Sequence, residues 1–172
     1  VVGTTGFSDD ALEEVRGLCE AHNSSTLIAP NFSIGANLMM RFAEEAAGVM
    51  EYATVIERHH ENKVDAPSGT AQMTVERMTA ARGEDFCSPS TAHFGMEGVR
   101  GGDEGGIQVF SVRMAGVVAN QEVVFGGLGE TLKIEHVTTG RESFMPGVLM
   151  AVRRVRDFDG LVYGLQALLD SE

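Results

Sequence analysis

From Glu57 to Ala71 the chain reads Glu-Arg-His-His-Glu-Asn-Lys-Val-Asp-Ala-Pro-Ser-Gly-Thr-Ala, which places His59, His60 and Lys63 within five consecutive positions. The second half has the letters of a helix start. Pro67 suits a first helical turn, Ser68 or Thr70 can cap free backbone N–H groups, and Gly69 lets a ligand come close. The N-terminal end of such a helix attracts an anion. One end of the stretch therefore offers cations and the other an N–H cradle, a combination that suits a small substrate bearing one or two carboxylates. The same letters also describe a solvated loop in which Glu57, Glu61 and Asp65 make weak ion pairs with their neighbours. No metal site is expected. Zinc needs further ligands at suitable spacing, and neither His-Glu-x-x-His nor Cys-x-x-Cys occurs.

The stretch needs elements to hold it. The run Tyr52-Ala53-Thr54-Val55-Ile56 before it reads as a strand. After it, Ala71, Val75, Met78 and Ala81/Arg82 recur at helical spacing and Gly83 is placed to stop the helix. Upstream, Val1-Val2-Gly3 reads as the tail of a buried strand, so the chain looks truncated. Beyond the Gly3-Thr4-Thr5-Gly6 loop, Ser8 or Asp10 can cap a helix with the stripe Leu12, Val15, Leu18/Cys19 and His22. A second short strand, Thr26-Leu27-Ile28-Ala29, leads through Pro30-Asn31-Phe32-Ser33 to a helix over 34–50 with Leu38, Phe42, Ala46 and Val49 on one face. This is an α/β rhythm. In a parallel sheet both loops lie at the carboxyl edge, where such folds bind nucleotides. The residues alone equally allow a plain tight turn at Gly3 to Gly6 and a core aromatic at Phe32.

Residues 83–106 are rich in glycine and polar residues and read as loop, with His93 and Phe94 in a brief strand and His93 as a surface or packing histidine. Strands follow over 107–114, 117–125 and 130–136, the last with a clean period of two. They read as an antiparallel meander added to the strand near 53–57, with helices 34–50 and 70–82 covering one face. Val117, Val118, Val123, Val124 and Phe125 occupy both parities, which points to burial on both sides and to sheet-to-sheet association between subunits. Ser143 is placed to cap a last helix with Pro146 in its first turn and the apolar line Phe144, Val148, Val152 and Val155. A short apolar tail closes the chain.

The 172 residues suffice for one domain or parts of two, and 43% hydrophobic content is enough for a packed core. A formal net charge of −12 argues against nucleic-acid and membrane-surface partners. Cys19 and Cys87 are far apart and sit in no redox or metal spacing, so reduced thiols in a cytoplasmic protein are the simplest account. No apolar run approaches the ~20 residues of a membrane span, and there is no signal peptide.

The string His59-His60-x-x-Lys63-x-Asp65-Ala66-Pro67-Ser68-Gly69-Thr70-Ala71 resembles the signature of the dihydrodipicolinate reductase family, nicotinamide-dependent enzymes of lysine and diaminopimelate biosynthesis. Companion motifs follow in the family's order: Val2-Gly3-Thr4-Thr5-Gly6, Ala29-Pro30-Asn31-Phe32-Ser33-Ile34-Gly35, and Ser143-Phe144-Met145-Pro146-Gly147-Val148. The resemblance covers essentially the whole chain. It implies the remaining parts of a Rossmann-type dinucleotide-binding domain over 1–31 and 141–172. Residues 32–140 are then the substrate and oligomerisation domain, α+β, with a mixed, mostly antiparallel sheet covered by helices on one face. It implies NAD(P)H-dependent reduction of 4-hydroxy-tetrahydrodipicolinate to tetrahydrodipicolinate, with either NADH or NADPH as cofactor. His59 and Lys63 match the family's acid pair; His60, Gly69 and Thr70 match substrate contacts; Gly3, Thr4, Thr5, Ala29, Pro30, Asn31 and Phe32 match cofactor contacts. A homotetramer through the 107–136 sheet is implied as well. Many relatives carry Glu-His where this chain has Asn120-Gln121. Because the nucleotide-binding half is incomplete, the chain by itself is expected to be inactive. Two other readings compete: a non-catalytic oligomerisation module, and another two-domain nicotinamide dehydrogenase acting on an amino-dicarboxylate.

Overall fold

The computed structural model of the chain describes residues 1–4 and 6–170. In chain order the elements are α1 (Asp9–Ala21), β1 (Thr26–Ile28), α2 (Ile34–Ala47), β2 (Tyr52–His59), α3 (Gly69–Arg82), β3 (Gly102–Glu104), β4 (Ile107–Arg113), β5 (Ala119–Gly127), β6 (Glu130–Thr138), α4 (Met145–Arg154), β7 (Leu161–Tyr163) and α5 (Gln166–Asp170). They form two compact units, residues 1–37 with 141–172 and residues 38–140, and α2 starts in the first and ends in the second.

In the first unit β1 pairs in parallel with β7, and Val2 adds a parallel bridge to Ile28. Ser8 caps α1 by accepting from the Ala11 N–H at 3.3 Å, with Asp9 and Asp10 at the positive end of the helix. Cys19, Leu12 and Val15 pack with Ile28, Leu161, Val2 and Phe7. Two positions of the expected stripe fall outside that contact: Leu18 is exposed and His22 is the C-cap, because the stripe facing a short two-stranded sheet is narrow. A second cluster joins Leu27, Ala29, Phe32, Ala151, Leu165 and Leu168. Here α4 comes so close that a Cβ on Gly147 would overlap the Phe32 carbonyl. The buried centre of α4 is therefore Gly147 and Ala151; Phe144, Val148 and Val155 of the expected line pack against the same cluster, while Val152 is exposed. Ser143 does not cap α4. It lies in a 3-10 turn over Arg141–Phe144, so the backbone is already helical where an extended N-cap would be, and its Oγ has no partner among the described residues.

In the second unit the sheet order is β3-β4-β2-β5-β6, with β2 and β4 parallel and the other pairs antiparallel. The expected meander is thus interrupted. β2 is inserted between β4 and β5 instead of flanking them, and Val117 and Val118 lie in the connection between those strands. A period-two pattern fixes which face a residue takes but not which strand lies beside it. Ala53 and Val55 on β2, Ile107 on β4, and Val123 and Phe125 on β5 form one core with Ala71, Val75 and Met78 of α3 and Ala43 and Ala47 of α2. The buried stripe of α2 is Met39, Met40, Ala43 and Ala47, whereas Phe42 and Val49 of the expected line are exposed. Two adjacent stripes are both apolar, and the one carrying alanines lets the backbone approach the sheet.

Gly83 ends α3 with φ 74°, a left-handed conformation that glycine adopts at little cost. Between 84 and 106 the regular element is β3, and His93 and Phe94 are exposed and lie in no strand. Of the apolar residues on β5, Val123 and Phe125 point into the core while Val124 lies half-buried on the opposite face with Ile56, Arg58, Glu122 and Lys133. Among the described residues no helix is long and apolar enough to cross a membrane.

Candidate active site

Alternation along β2 sends Ala53, Val55 and Glu57 to the helix-covered face, so the core side of the strand changes from apolar to ionic at Glu57. In register, Glu57 lies opposite Ser111 of β4 and Gln121 of β5, and Gln121 lies opposite His136 of β6. The next inward position pairs His59 with Arg113 and with Ala119. A polar band therefore crosses four strands at the end of the sheet where α3 begins.

Glu57 is fully buried, and donors surround it. His59 Nδ1 lies 2.6 Å from Oε2, Arg113 reaches Oε2 and Oε1 at 2.8 Å each, and the Ser68 N–H donates to Oε1 at 3.1 Å. Burial by itself raises the carboxyl pKa, but hydrogen bonds from His59, Arg113 and Ser111 outweigh it and hold the group down to about 2. The acid is ionised at neutral pH, and it fastens the end of β2 to the start of α3.

The intervening loop is tied to the same hub. Arg113 also donates to the Asp65 carbonyl at 2.5 Å, and Lys63 Nζ sits 2.6 and 2.8 Å from the two Asp65 carboxylate oxygens. The Lys63 ammonium holds the Asp65 carboxyl below its usual range. Ser68 is the N-cap of α3, its Oγ accepting from the Ala71 N–H at 3.2 Å; Pro67 accordingly precedes the cap and does not enter the first turn. Gly69 is the first helical residue, with open space where a Cβ would stand among the described residues, and Thr70 follows it.

The structure thus gathers His59, Lys63, Gly69 and Thr70 around one ionic cluster, with His60 exposed at the turn that the Lys63 N–H closes onto the His60 carbonyl at 3.1 Å. Glu57 and Arg113 are the residues sequence reasoning missed. Their signal was parity: both are charged residues at inward positions of strands, and a charge there needs a buried partner. At the deeper edge Gln121 donates to Thr74 Oγ1 at 2.7 Å, and burial holds the His136 pKa below its ordinary value. A groove of about 520 Å³ beside the loop is lined by Ala66, Pro67, Phe110 and Ser111, but its charged lining residues are Asp103 and Glu104, which do not suit an anion. Among the described residues no group of three or more His, Cys, Asp or Glu could hold a metal ion.

The residues expected to meet the cofactor lie in the first unit. Because Val2 and β1 run parallel, with the Val2 N–H on the Leu27 carbonyl at 2.8 Å and the Ala29 N–H on the Val2 carbonyl at 3.0 Å, both loops leave the same edge. A Cβ on Gly3 would stand 3.1 Å from the Phe32 ring, so Gly3 and Phe32 are neighbours. Ala29 and Phe32 are buried, Pro30 and Asn31 half-buried and Thr4 exposed; Thr5 lies outside the described residues. The Asn31 Oδ1 accepts from the Ser33 N–H at 2.8 Å, and Asn37 donates to the Asn31 carbonyl at 3.0 Å. Loops fastened this way at the carboxyl edge of parallel strands lie where such folds bind nucleotides.

Comparison with known proteins gives the family. Residues 35–169 match the family described as "Dihydrodipicolinate reductase, C-terminus". The chain is 52% identical over 170 residues to 4-hydroxy-tetrahydrodipicolinate reductase of Moorella thermoacetica, covering 99% of this chain and 63% of that protein. It is 53% identical over 171 residues to the protein of that name from Mycolicibacterium gilvum, covering 70% of it. Among solved structures, dipicolinate-bound dihydrodipicolinate reductase from Paenisporosarcina sp. TG-14 superimposes with a TM-score of 0.87 at 40% identity, over 96% of this chain and 62% of that one. The chain thus spans about two thirds of the length of these relatives, and with its match over residues 35–169 it belongs to the dihydrodipicolinate reductase family.

Proposed function

We propose that this chain carries the substrate site and acid pair of an NAD(P)H-dependent reductase that converts 4-hydroxy-tetrahydrodipicolinate to tetrahydrodipicolinate in lysine and diaminopimelate biosynthesis. The observation that carries the reading is the buried Glu57 carboxylate, which holds the His59 ring and the start of α3 in one cluster. Relatives that share half of its residues bear the reductase name, and one solved relative is described as dipicolinate-bound.

Hydride addition to a conjugated imine pushes electron density toward the ring nitrogen, so the site must offer a proton and positive charge there. His59 is the proton donor and Lys63 the accompanying cation. Lys63 is held by Asp65, and a substrate carboxylate competes for the same ammonium. Gly69 and Thr70 offer the first N–H groups of α3 to a carboxylate, with the helix dipole in support, and His60 meets the substrate from the turn. NADH or NADPH supplies the hydride when bound, and Gly3, Thr4, Ala29, Pro30, Asn31 and Phe32 hold its nicotinamide end. In this reading residues 1–31 and 141–172 belong to the dinucleotide-binding domain and 32–140 to the substrate domain. The open sheet face, with half-buried Ile56 and Val124 beside exposed Val137, supports a homotetramer through this sheet. Free Cys19 and Cys87 are in keeping with a cytoplasmic protein.

Titration calorimetry with pyridine-2,6-dicarboxylate, a flat mimic of the substrate, tests the reading. Binding is expected, weakened about tenfold, or ~1.4 kcal/mol, in Lys63→Ala. Equal affinity in the variant would remove Lys63 from the site, and no binding to the chain would sink the assignment of residues 59–70 as a dicarboxylate site.

A further inference from the structure

We propose that Glu57, braced by Arg113, is the positioning residue for His59, fixing the ring so that Nδ1 always bears a proton and Nε2 alone exchanges one. The inference rests on the reading of His59 as the proton donor, and it adds a residue and an atom that the motif does not name.

The hydrogen bonds of the carboxylate leave no alternative tautomer. Oε1 accepts from the Ser68 N–H at 3.1 Å and from Arg113 at 2.8 Å, while Oε2 accepts from Arg113 at 2.8 Å and faces His59 Nδ1 at 2.6 Å. An ionised carboxylate has no hydrogen to give, so at Nδ1 the histidine must be the donor whether the ring is neutral or charged. The neutral ring then presents a bare Nε2. The charged ring can release its proton from that nitrogen and keep the bond to Glu57.

Around the hub the other groups agree. β4 contributes Ser111 and Arg113, β5 contributes Gln121, α3 contributes the Ser68 N–H, and β6 places His136 one strand beyond Gln121. Lys63 and Asp65 join through the Arg113 bond to the Asp65 carbonyl. After the His59 bond, Arg113 is the partner that does most to keep the carboxylate ionised in this buried position, and it is charged at every relevant pH. Without it, a neutral acid would leave both orientations of the His59 ring open.

Exchange of the carboxylate for an amide should reverse the tautomer. In Glu57→Gln the carbonyl oxygen belongs at the Oε1 position, where Ser68 and Arg113 both donate; the amide NH2 then faces His59 Nδ1, and one Arg113 N–H loses its acceptor, a smaller loss than the two donors the opposite orientation would strand. Nδ1 becomes the acceptor, and the neutral ring carries its proton on Nε2. In serine-protease triads an equivalent carboxylate-to-amide change lowers kcat about 10⁴-fold through the wrong tautomer.

Long-range proton–nitrogen NMR of the chain with ¹⁵N-labelled histidine reads this directly, on the alkaline side of the histidine range, with His59→Gln assigning the signal among the five histidines. In the wild type the His59 Nδ1 signal should be of the protonated kind and Nε2 of the bare kind. The two should exchange places in Glu57→Gln and return in Glu57→Asp. A wild-type ring protonated on Nε2 overturns the inference without any variant having to fold, and an unchanged tautomer in a folded Glu57→Gln overturns it too. Pyridine-2,6-dicarboxylate added to the same wild-type sample separates the two questions. The expected tautomer with no ligand-induced shift of the His59 signals upholds the positioning role while the dicarboxylate reading fails.

Discussion

Glu57 and Arg58 are neighbours on β2, and each belongs to an ionic cluster, yet the clusters differ in what surrounds them. Glu57 points under α3 and is fully buried, with Arg113, His59 and Ser68 satisfying its oxygens. Arg58 points to the opposite face, where it pairs with Glu122, which also pairs with Lys133; Lys133 reaches Glu135 at 3.1 Å. On that face Glu122 is buried too, but in the single chain its partners Arg58 and Lys133 remain 31% and 49% exposed, and water screens what they do. Strand alternation alone separates the two cases. Buried ions must be matched group for group, whereas the open face tolerates a missing partner.

That contrast breaks most visibly when one partner is deleted. Glu57→Ala strands the Arg113 charge and should cost ~3–5 kcal/mol in urea denaturation, against about 1 kcal/mol or less for Arg58→Ala, since Lys133 still answers Glu122. Equal losses would mean that the two faces are solvated alike.

Acid should reveal the same hub. The Glu57 carboxyl stands at about 2 in the folded chain against an ordinary 4.5, so its contribution is complete above pH 4.5 and disappears as pH falls toward 2. The loss is on the order of 3 kcal/mol, and in Glu57→Gln the stability profile should flatten across that window. Added salt should weaken the Arg58 cluster and leave the Glu57 window in place. A salt-sensitive Glu57 window would argue that water reaches the hub.

Asp65 lies between the two extremes, because its carboxylate is half exposed while its carbonyl is tied to Arg113. Asp65→Asn removes the competitor for Lys63 but keeps the carbonyl bond, so pyridine-2,6-dicarboxylate should bind a few-fold tighter, within ~1 kcal/mol. Weaker binding would show that Asp65 positions Lys63 instead of competing for it. The smallest effect belongs to His136. Burial depresses its pKa, so the folded chain resists protonating it, and stability should begin to fall as pH drops below about 6.5 and should not in His136→Gln.

Much of the second unit was legible along the chain. The run 52–56 announced β2, the spacing of Ala71, Val75 and Met78 announced α3, and of the two candidate caps, Ser68 and Thr70, the fold uses Ser68. The order of the strands was not legible, since β2 alternates identically whether it lies at an edge or, as found, between β4 and β5. Nor was the buried stripe of α2, where Leu38, Phe42 and Val49 look as apolar as Met39, Met40 and Ala43. Glu57 read as one more charge in a run of charges, because letters carry no burial.

Local sequence determined which residue types stand at the end of β2, in the loop and at the first turn of α3, and with them the proposed capacity to bind an anion and deliver a proton. Those depend on neighbours a few positions apart, where backbone geometry fixes the spacing. Only the tertiary structure decided which acid meets which cation: Arg113 lies 56 positions beyond Glu57, and the insertion of β2 beside β4 brings the two within 2.8 Å. Register between strands distant in sequence is set by packing of the whole sheet, and the hub that holds His59 exists only once that packing is complete.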